Sequence, residues 1–214
     1  MRSTAPSGAI PIRILIVDDH PMMRSGLADI ISSQPDMCVA GEFDDGARAL
    51  ESFETLRPDV TIMDVAMPEM DGVLALEAIL RLNSRARVIM LTAMQGDHQM
   101  RRALELGAAG FMMKRSLRKD LIDAIREVHA GRRWIPSDVA CTLATHLGQK
   151  NLSDREIEVL RSAGAGNSNK CIGGQLGIAE DTVKAHFRTI LTKLTARDRT
   201  HAVAIAIKRG ILTL

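Results

Sequence analysis

Tyrosine is missing from this 214-residue sequence, tryptophan occurs once and phenylalanine four times, leaving aromatics at 2%. Any hydrophobic core must therefore be largely aliphatic, with the 12 methionines as adaptable filler. Cysteine is nearly as scarce. Cys38, Cys141 and Cys171 are odd in number, far apart and include no CxxC pair, which argues against a zinc site and a disulfide framework. Long glycine- or serine-rich tracts, low-complexity segments and internal repeats are also lacking, so wholesale disorder is not expected. The apolar run "IPIRILIVDD" is too short to span a bilayer, is interrupted by Arg13 and closes on two aspartates. It reads as a buried strand, and the chain as cytoplasmic with no membrane partner.

What is present is an apolar fraction of 46%, enough for a real core, over a length that suits one large domain or two small ones. Charge separates the halves. Residues 150–214 carry 11 Lys+Arg against 6 Asp+Glu, whereas residues 1–149 carry 17 against 20. An acidic front and a basic back imply two modules with different partners, the back one suited to a polyanion.

Periodicity supports that division. Apolar runs at 12–17, 37–43, 59–64, 87–92 and 109–113 alternate with amphipathic stretches near 22–33, 46–56, 71–82, 97–106 and 117–130. Five strands alternating with five helices predict a doubly wound α/β domain, a five-stranded parallel sheet covered on both faces, over residues 10–130. "GRRWIPSDV" then breaks structure, and 131–150 reads as a linker with a short helix-like run to Leu147. From 151 to 214 the period is purely helical. "LSDREIEVL" opens with a capping box, Ser153 and Glu156, with Leu152 and Ile157 spaced as a hydrophobic staple. Helices follow at about 168–176, 180–194 and 199–209. The third puts Val183, Phe187, Ile190, Leu191 and Leu194 on one face, and the set makes a small all-α domain of four helices.

In a doubly wound sheet, ligand chemistry collects beyond the carboxyl ends of the strands. There the sequence sets Asp18 and Asp19 after strand 1, Asp64 at the end of strand 3, Thr92 at the end of strand 4 and Lys114 after strand 5. Close carboxylates repel one another unless a cation neutralises them, and all-oxygen ligation with room for water favours Mg²⁺. A carboxylate beside such a cation, a lysine and a hydroxyl can receive a phosphoryl group. His20, His98, His129 and His146 show no ligand spacing and read as structural or solvated.

The segments "VDDH", "MDVAMPEMDG", "LTA" and "GFMMK" occur in that order, and on them the front half resembles the response-regulator receiver domains, with their flavodoxin-like fold. That resemblance implies Asp64 as phosphoacceptor and a Mg²⁺ site of Asp18, Asp19, Asp64 and the Ala66 carbonyl. It implies Thr92 and Lys114 as phosphoryl contacts and Phe111 as the aromatic switch residue, here a ring without a hydroxyl. A sensor histidine kinase is the implied phosphodonor, and the implied catalysis is limited to the chain's own phosphorylation and dephosphorylation.

In the back half, "LGIAE" joins the second and third helices as a glycine turn followed by an amphipathic helix, the pattern of a helix-turn-helix. Lys184 and Arg188 are four apart and so share the polar face, within reach of guanine edges or phosphates. "LSDREIEVL", "NSNKCIGGQLGIAEDTVKAHFRTILTKL" and "RDRTHAV" together resemble the LuxR-type (NarL/FixJ) DNA-binding domain. The resemblance implies double-stranded promoter DNA as partner, Lys184 and Arg188 toward bases, and Lys170, Thr182 and His186 near the backbone. Val203 and Ile207 on the fourth helix would serve a homodimer formed on phosphorylation. Three positions depart from that pattern: Ala179 where a Ser or Thr cap is usual, Gly173–Gly174 inside a helix, and Cys171. The missing cap predicts a recognition helix that frays until DNA holds it.

One stretch offers a competing reading. "GAGNSNKC" (164–171) nearly matches the phosphate-loop pattern of nucleotide-binding phosphotransfer enzymes. That loop requires an apolar strand before it, and "REIEVLRSA" is amphipathic and helical. The glycines instead read as ending one helix, with Asn167 or Ser168 capping the next. A LuxR-type regulator independent of phosphorylation is the other alternative, and the complete acidic set argues against it.

Overall fold

The computed structural model describes residues 10–93, 97–137, 139–141 and 152–212, excepting the side chains of Asp97 and Arg118. Residues 142–147 of the expected helix-like run, with His146, lie outside these. Two compact units are formed, an α/β unit and a helical one.

The α/β unit runs β1 (Ile12–Val17), α1 (Pro21–Ser32), β2 (Met37–Phe43), α2 (Gly46–Leu56), β3 (Val60–Asp64), α3 (Gly72–Leu82), β4 (Val88–Thr92), α4 (Asp97–Leu106), β5 (Gly110–Met113) and α5 (Leu117–His129). A single 3-10 turn, Lys114–Ser116, links β5 to α5. The strands are parallel in the order β2-β1-β3-β4-β5, so the direction of winding reverses between β1 and β3. Every residue of β3 and β4 is buried, which is why their sequences are nearly unbroken apolar runs. Helix α5 lays Leu117, Leu121, Ala124, Ile125 and Val128 against the sheet, at helical spacing, where they meet Ile14, Ile16, Ile62, Ile89 and Leu91. Local chemistry sets the helix starts: Pro21 opens α1, Asp45 accepts from the amides of Ala47 and Arg48, and Asp71 from those of Val73 and Leu74.

The segment expected only to break structure does more. The Phe111 amide donates to the Trp134 carbonyl at 2.8 Å, and the Trp134 amide to the Ala109 carbonyl at 3.1 Å. Trp134 thereby covers the open edge of β5, and the α/β unit extends past residue 130.

The helical unit comprises α6 (Asp154–Gly164), α7 (Asn169–Leu176), α8 (Glu180–Leu194) and α9 (Arg199–Lys208). Its core joins Val159, Leu160, Ile172, Val183, Ile190, Ala202 and Ala206. The capping box at Ser153 and Glu156 is complete. Ser168, rather than Asn167, caps α7, through the Cys171 amide at 3.3 Å. The preceding glycines therefore belong to a helix–helix turn, Gly166 taking φ +85°, and α6 before them is a helix, not the strand a nucleotide loop needs.

Candidate functional site

The C-terminal edges of β1, β3, β4 and β5 bring four of the expected residues to one end of the sheet. Lys114 Nζ lies 2.8 Å from Asp64 Oδ2 and 2.8 Å from Asp18 Oδ2. Asp18 is fully buried and Asp64 almost so, at 0% and 2% exposure. Thr92 ends β4 in register with Met113, the residue before Lys114, and is itself buried. The Ala66 backbone amide hydrogen-bonds the Asp64 carboxylate, and Ala66 itself is exposed at the mouth. Phe111, on β5 three residues before Lys114, is wholly buried opposite Met90.

Two backbone features hold this geometry. A Cβ on Gly72 would sit 1.9 Å from the Asp64 carbonyl oxygen, so only glycine lets α3 start so close to β3. Its amide donates to the Val65 carbonyl at 3.0 Å, closing the loop after the acidic strand end. At β1, Arg24 Nη1 donates to the Asp18 carbonyl at 2.6 Å and fixes the turn that presents the paired aspartates.

Electrostatics follow from burial. Desolvation, reinforced by the Asp18 charge, holds the Asp64 carboxyl above its ordinary range despite the Lys114 hydrogen bond. Burial alone would depress Lys114. The hydrogen bonds to Asp18 and Asp64 outweigh it and keep the ammonium above its usual value. One lysine thus offsets part of the negative charge of three neighbouring carboxylates.

Asp18, Asp19, His20 and Asp64 each bring a ligand atom to within 4.8 Å of one another, a set able to hold a divalent cation. Asp19 Oδ1 is buried within this cluster. Three carboxylates around a single lysine leave negative charge that fits a hard, oxygen-preferring cation. His20, expected to be structural or solvated, is exposed but also touches this pocket. Its Nδ1 lies 2.7 Å from Asp19 Oδ1 and 3.2 Å from Asp18 Oδ1. The signal was its place directly after the aspartate pair.

In the helical unit, α7, the left-handed Gly177 and α8 form a helix-turn-helix. Thr182, Lys184 and Arg188 lie exposed on α8, His186 is half-buried, and Lys170 is exposed at the start of α7. Lys184 Nζ is engaged on its own helix, 3.0 Å from Asp181 Oδ1 and 3.4 Å from Glu180 Oε1, and these partners raise its pKa. The acidic first turn explains how α8 forms although Ala179 offers no side-chain acceptor: two carboxylates complement the positive end of the helix dipole. Arg199 ties α9 to the α6–α7 turn, reaching Asn169 Oδ1 at 3.2 Å and the Asn167 carbonyl, with its guanidinium 5.0 Å from the Phe187 ring centre. Val203 and Ile207 are half-buried and pack against the unit's own core, leaving Ala204 the more open position on α9.

Gly173 has a reason the sequence hid. A Cβ there would meet the Ile178 carbonyl oxygen at 2.7 Å, at the point where the turn folds back on α7. The Cys171 thiol lies 3.4 Å from Asn167 Oδ1, as a weak donor. Nothing in the structure explains Gly174.

No described helix is long and apolar enough to cross a membrane. Residues 14–126 match the family model described as response regulator receiver domain, and residues 150–206 that of bacterial regulatory proteins, luxR family. The chain is 38% identical over 209 residues to the transcriptional regulatory protein LiaR of Bacillus subtilis, covering 94% of this chain and 99% of LiaR. It is 34% identical over 208 residues to the response regulator protein VraR of Staphylococcus saprophyticus, covering 95% of this chain and all of VraR. Among solved structures it is similar to the response regulator ChrA of a heme-sensing two-component system, with 33% identity, a TM-score of 0.56, and 94% and 99% of the two chains covered.

Proposed function

Because this chain belongs to the response regulators with a LuxR-type domain, transcriptional regulators that bind DNA under phosphorylation control, we propose that Asp64 is the residue that is phosphorylated. The observation that carries this reading is a nearly buried carboxylate bonded to Lys114 and flanked by Asp18 at the strand ends. A carboxylate oxygen of Asp64 attacks the phosphorus of a phosphohistidine on a sensor kinase. The phosphorus–nitrogen bond breaks, and the departing imidazole takes up a proton. Lys114 neutralises charge on the phosphoryl oxygens, and the Thr92 hydroxyl donates to one of them. Asp18, Asp19, Asp64 and the Ala66 carbonyl would hold a Mg²⁺, which would supply electrostatic stabilisation of the phosphoryl oxygens. The chain's own catalysis is limited to this transfer and the later hydrolysis.

Phosphorylation draws Thr92 toward the phosphoryl group and repacks Phe111, a ring that needs no hydroxyl to fill the space. The receiver, about residues 10–130 and edged by Trp134 of the 131–150 connection, thereby favours the homodimer. The 151–214 domain binds promoter DNA in the cytoplasm, with Lys184 and Arg188 toward bases and Lys170, Thr182 and His186 toward the backbone. Val203 and Ile207 extend the dimer contact.

Labelling with a small phosphodonor in Mg²⁺ tests the acceptor. The wild-type chain gains one phosphoryl mass, Asp64→Asn gains none, and Lys184→Ala with Arg188→Ala is labelled normally while losing promoter binding. Labelling of Asp64→Asn at another residue would overturn the assignment.

A further inference from the structure

We infer that Trp134 is a latch on the edge of the sheet, closed in this structure and opened when Phe111 repacks, so that phosphorylation frees the connection leading to the helical unit. This rests on the reading of Phe111 as the residue that responds to phosphorylation of Asp64.

The latch is built from backbone bonds on either side of one glycine. The Phe111 amide donates to the Trp134 carbonyl at 2.8 Å, and the Trp134 amide to the Ala109 carbonyl at 3.1 Å. The Phe111 side chain is wholly buried, and its amide faces out from an edge strand whose other side pairs with β4. A shift of the Phe111 backbone therefore reaches Trp134 with nothing in between. Gly110 lies between the two bonds, and a Cβ there would come within 3.1 Å of the Trp134 carbonyl oxygen and 3.2 Å of its Cβ. Trp134 fits against β5 because that position has no side chain.

The closed latch is weakly held. The bridge between Gly110 and Trp134 is isolated rather than part of a longer ladder. The indole packs against the core shared by α5 and the sheet, but its Nε1 is buried and, among the described residues, has no hydrogen-bond partner. Closure thus carries the desolvation cost of an N–H group, which opening to water returns. Gly131 at φ +81°, with the Arg132 amide 3.0 Å from the Glu127 carbonyl, forms the turn on which this segment leaves α5. Such an element-terminal turn is a ready pivot.

Lys114 directly follows β5, so the phosphoryl contact and the latch are joined by one strand of four residues. Closed, the latch ties the first part of the 131–150 connection to that strand. Open, it returns this length to the chain between the two units, and the helical unit gains freedom to pair on a promoter.

Trp134 is the only tryptophan of the chain, so its emission reads the latch directly. Treating the full-length protein with phosphoramidate and Mg²⁺ is expected to shift that emission to the red and increase its quenching by acrylamide, while Asp64→Asn shows neither change. Gly110→Ala should push the latch open without phosphate. Its emission should be red-shifted, and its unphosphorylated form should bind a promoter fragment roughly fivefold more tightly or better, the low end of ordinary coupling between sites. Wild-type protein that is labelled and gains promoter binding, with emission unmoved or shifted to the blue, would overturn the latch and leave the Asp64 reading standing. Red-shifted emission in Gly110→Ala with promoter binding still at the wild-type basal level sinks it too. Failure of the wild type to be labelled would instead remove the Asp64 reading, and the latch with it.

Discussion

A Cβ on Gly174 meets no described atom within 4 Å, and the position is exposed in the interior of α7. Glycine there costs helix stability without a packing return, by roughly 1 kcal/mol against alanine. Thr195 has the reverse fault. It ends α8 with φ 53°, a left-handed conformation that a β-branched side chain resists and glycine adopts freely. Gly174→Ala and Thr195→Gly should therefore each raise the stability of the helical unit by about 1 kcal/mol. Gly173→Ala, one position from the first, should destabilise it by driving a methyl group into the Ile178 carbonyl. Thermal melts of the full-length variants followed by circular dichroism check all three. A stabilising Gly173→Ala would mean that the turn after α7 is looser than its backbone indicates. The sequence showed two adjacent glycines and no means of telling them apart, because their difference lies in a carbonyl five residues on.

At the scale of elements, what was legible depended on sequence distance. Strands of unbroken apolar residues, the Ser153–Glu156 capping box, and the apolar stripes of α5 and α8 all involve neighbours within one or two turns, and each element appears within a residue or two of its expected bounds. The acidic strand ends were legible for a related reason: parallel order forces Asp18, Asp64, Thr92 and Lys114 to the same edge. Contacts set by side-chain direction were not. His20, expected to be structural or solvated, is exposed yet touches the paired aspartates; Trp134 pairs with β5 rather than only breaking structure; and Glu156 pairs with Lys193. Lys193 Nζ sits 2.7 Å from Glu156 Oε2 and 3.0 Å from Oε1, joining α8 to the cap of α6 across 37 residues of chain. Burial opposes the ionised Glu156, but the hydrogen bonds from Lys193 and the Ser153 amide outweigh it and lower the pKa. A carboxyl depressed in the folded state contributes stability above its unfolded value, near 4.5, and loses it as pH falls through the lower folded value. The helical unit should therefore weaken in acid through this group. Lys193→Met, which strands a buried carboxylate, should cost on the order of 3 kcal/mol at neutral pH and less as Glu156 protonates. Denaturant titrations at neutral and acidic pH measure both. A cost independent of pH would place the loss in packing rather than in the ion pair.

Across the whole molecule, the excess of positive charge in residues 150–214 sets how DNA binding should respond to salt. Affinity that depends on phosphate contacts falls with salt because bound counterions are released, with a logarithmic slope of roughly 0.9 for each phosphate neutralised. Lys170 and Arg188 are both exposed, but they are assigned different work, backbone for the first and base edge for the second. Lys170→Ala should then weaken binding to matched and mismatched promoters alike and flatten the salt slope. In a dimer each substitution is made twice, so the flattening should be about 1.8, against about 0.9 for a single copy on DNA. Arg188→Ala should cost about 1–3 kcal/mol per half-site on a matched promoter and relax preference at one base pair. Salt-series titrations on the phosphorylated protein distinguish these outcomes in one data set. A slope change near 0.9 would refute the dimeric complex. No slope change for Lys170→Ala would move the backbone contact to another residue. A larger flattening for Arg188→Ala than for Lys170→Ala would exchange the two roles, and with them the orientation of α8 in the groove.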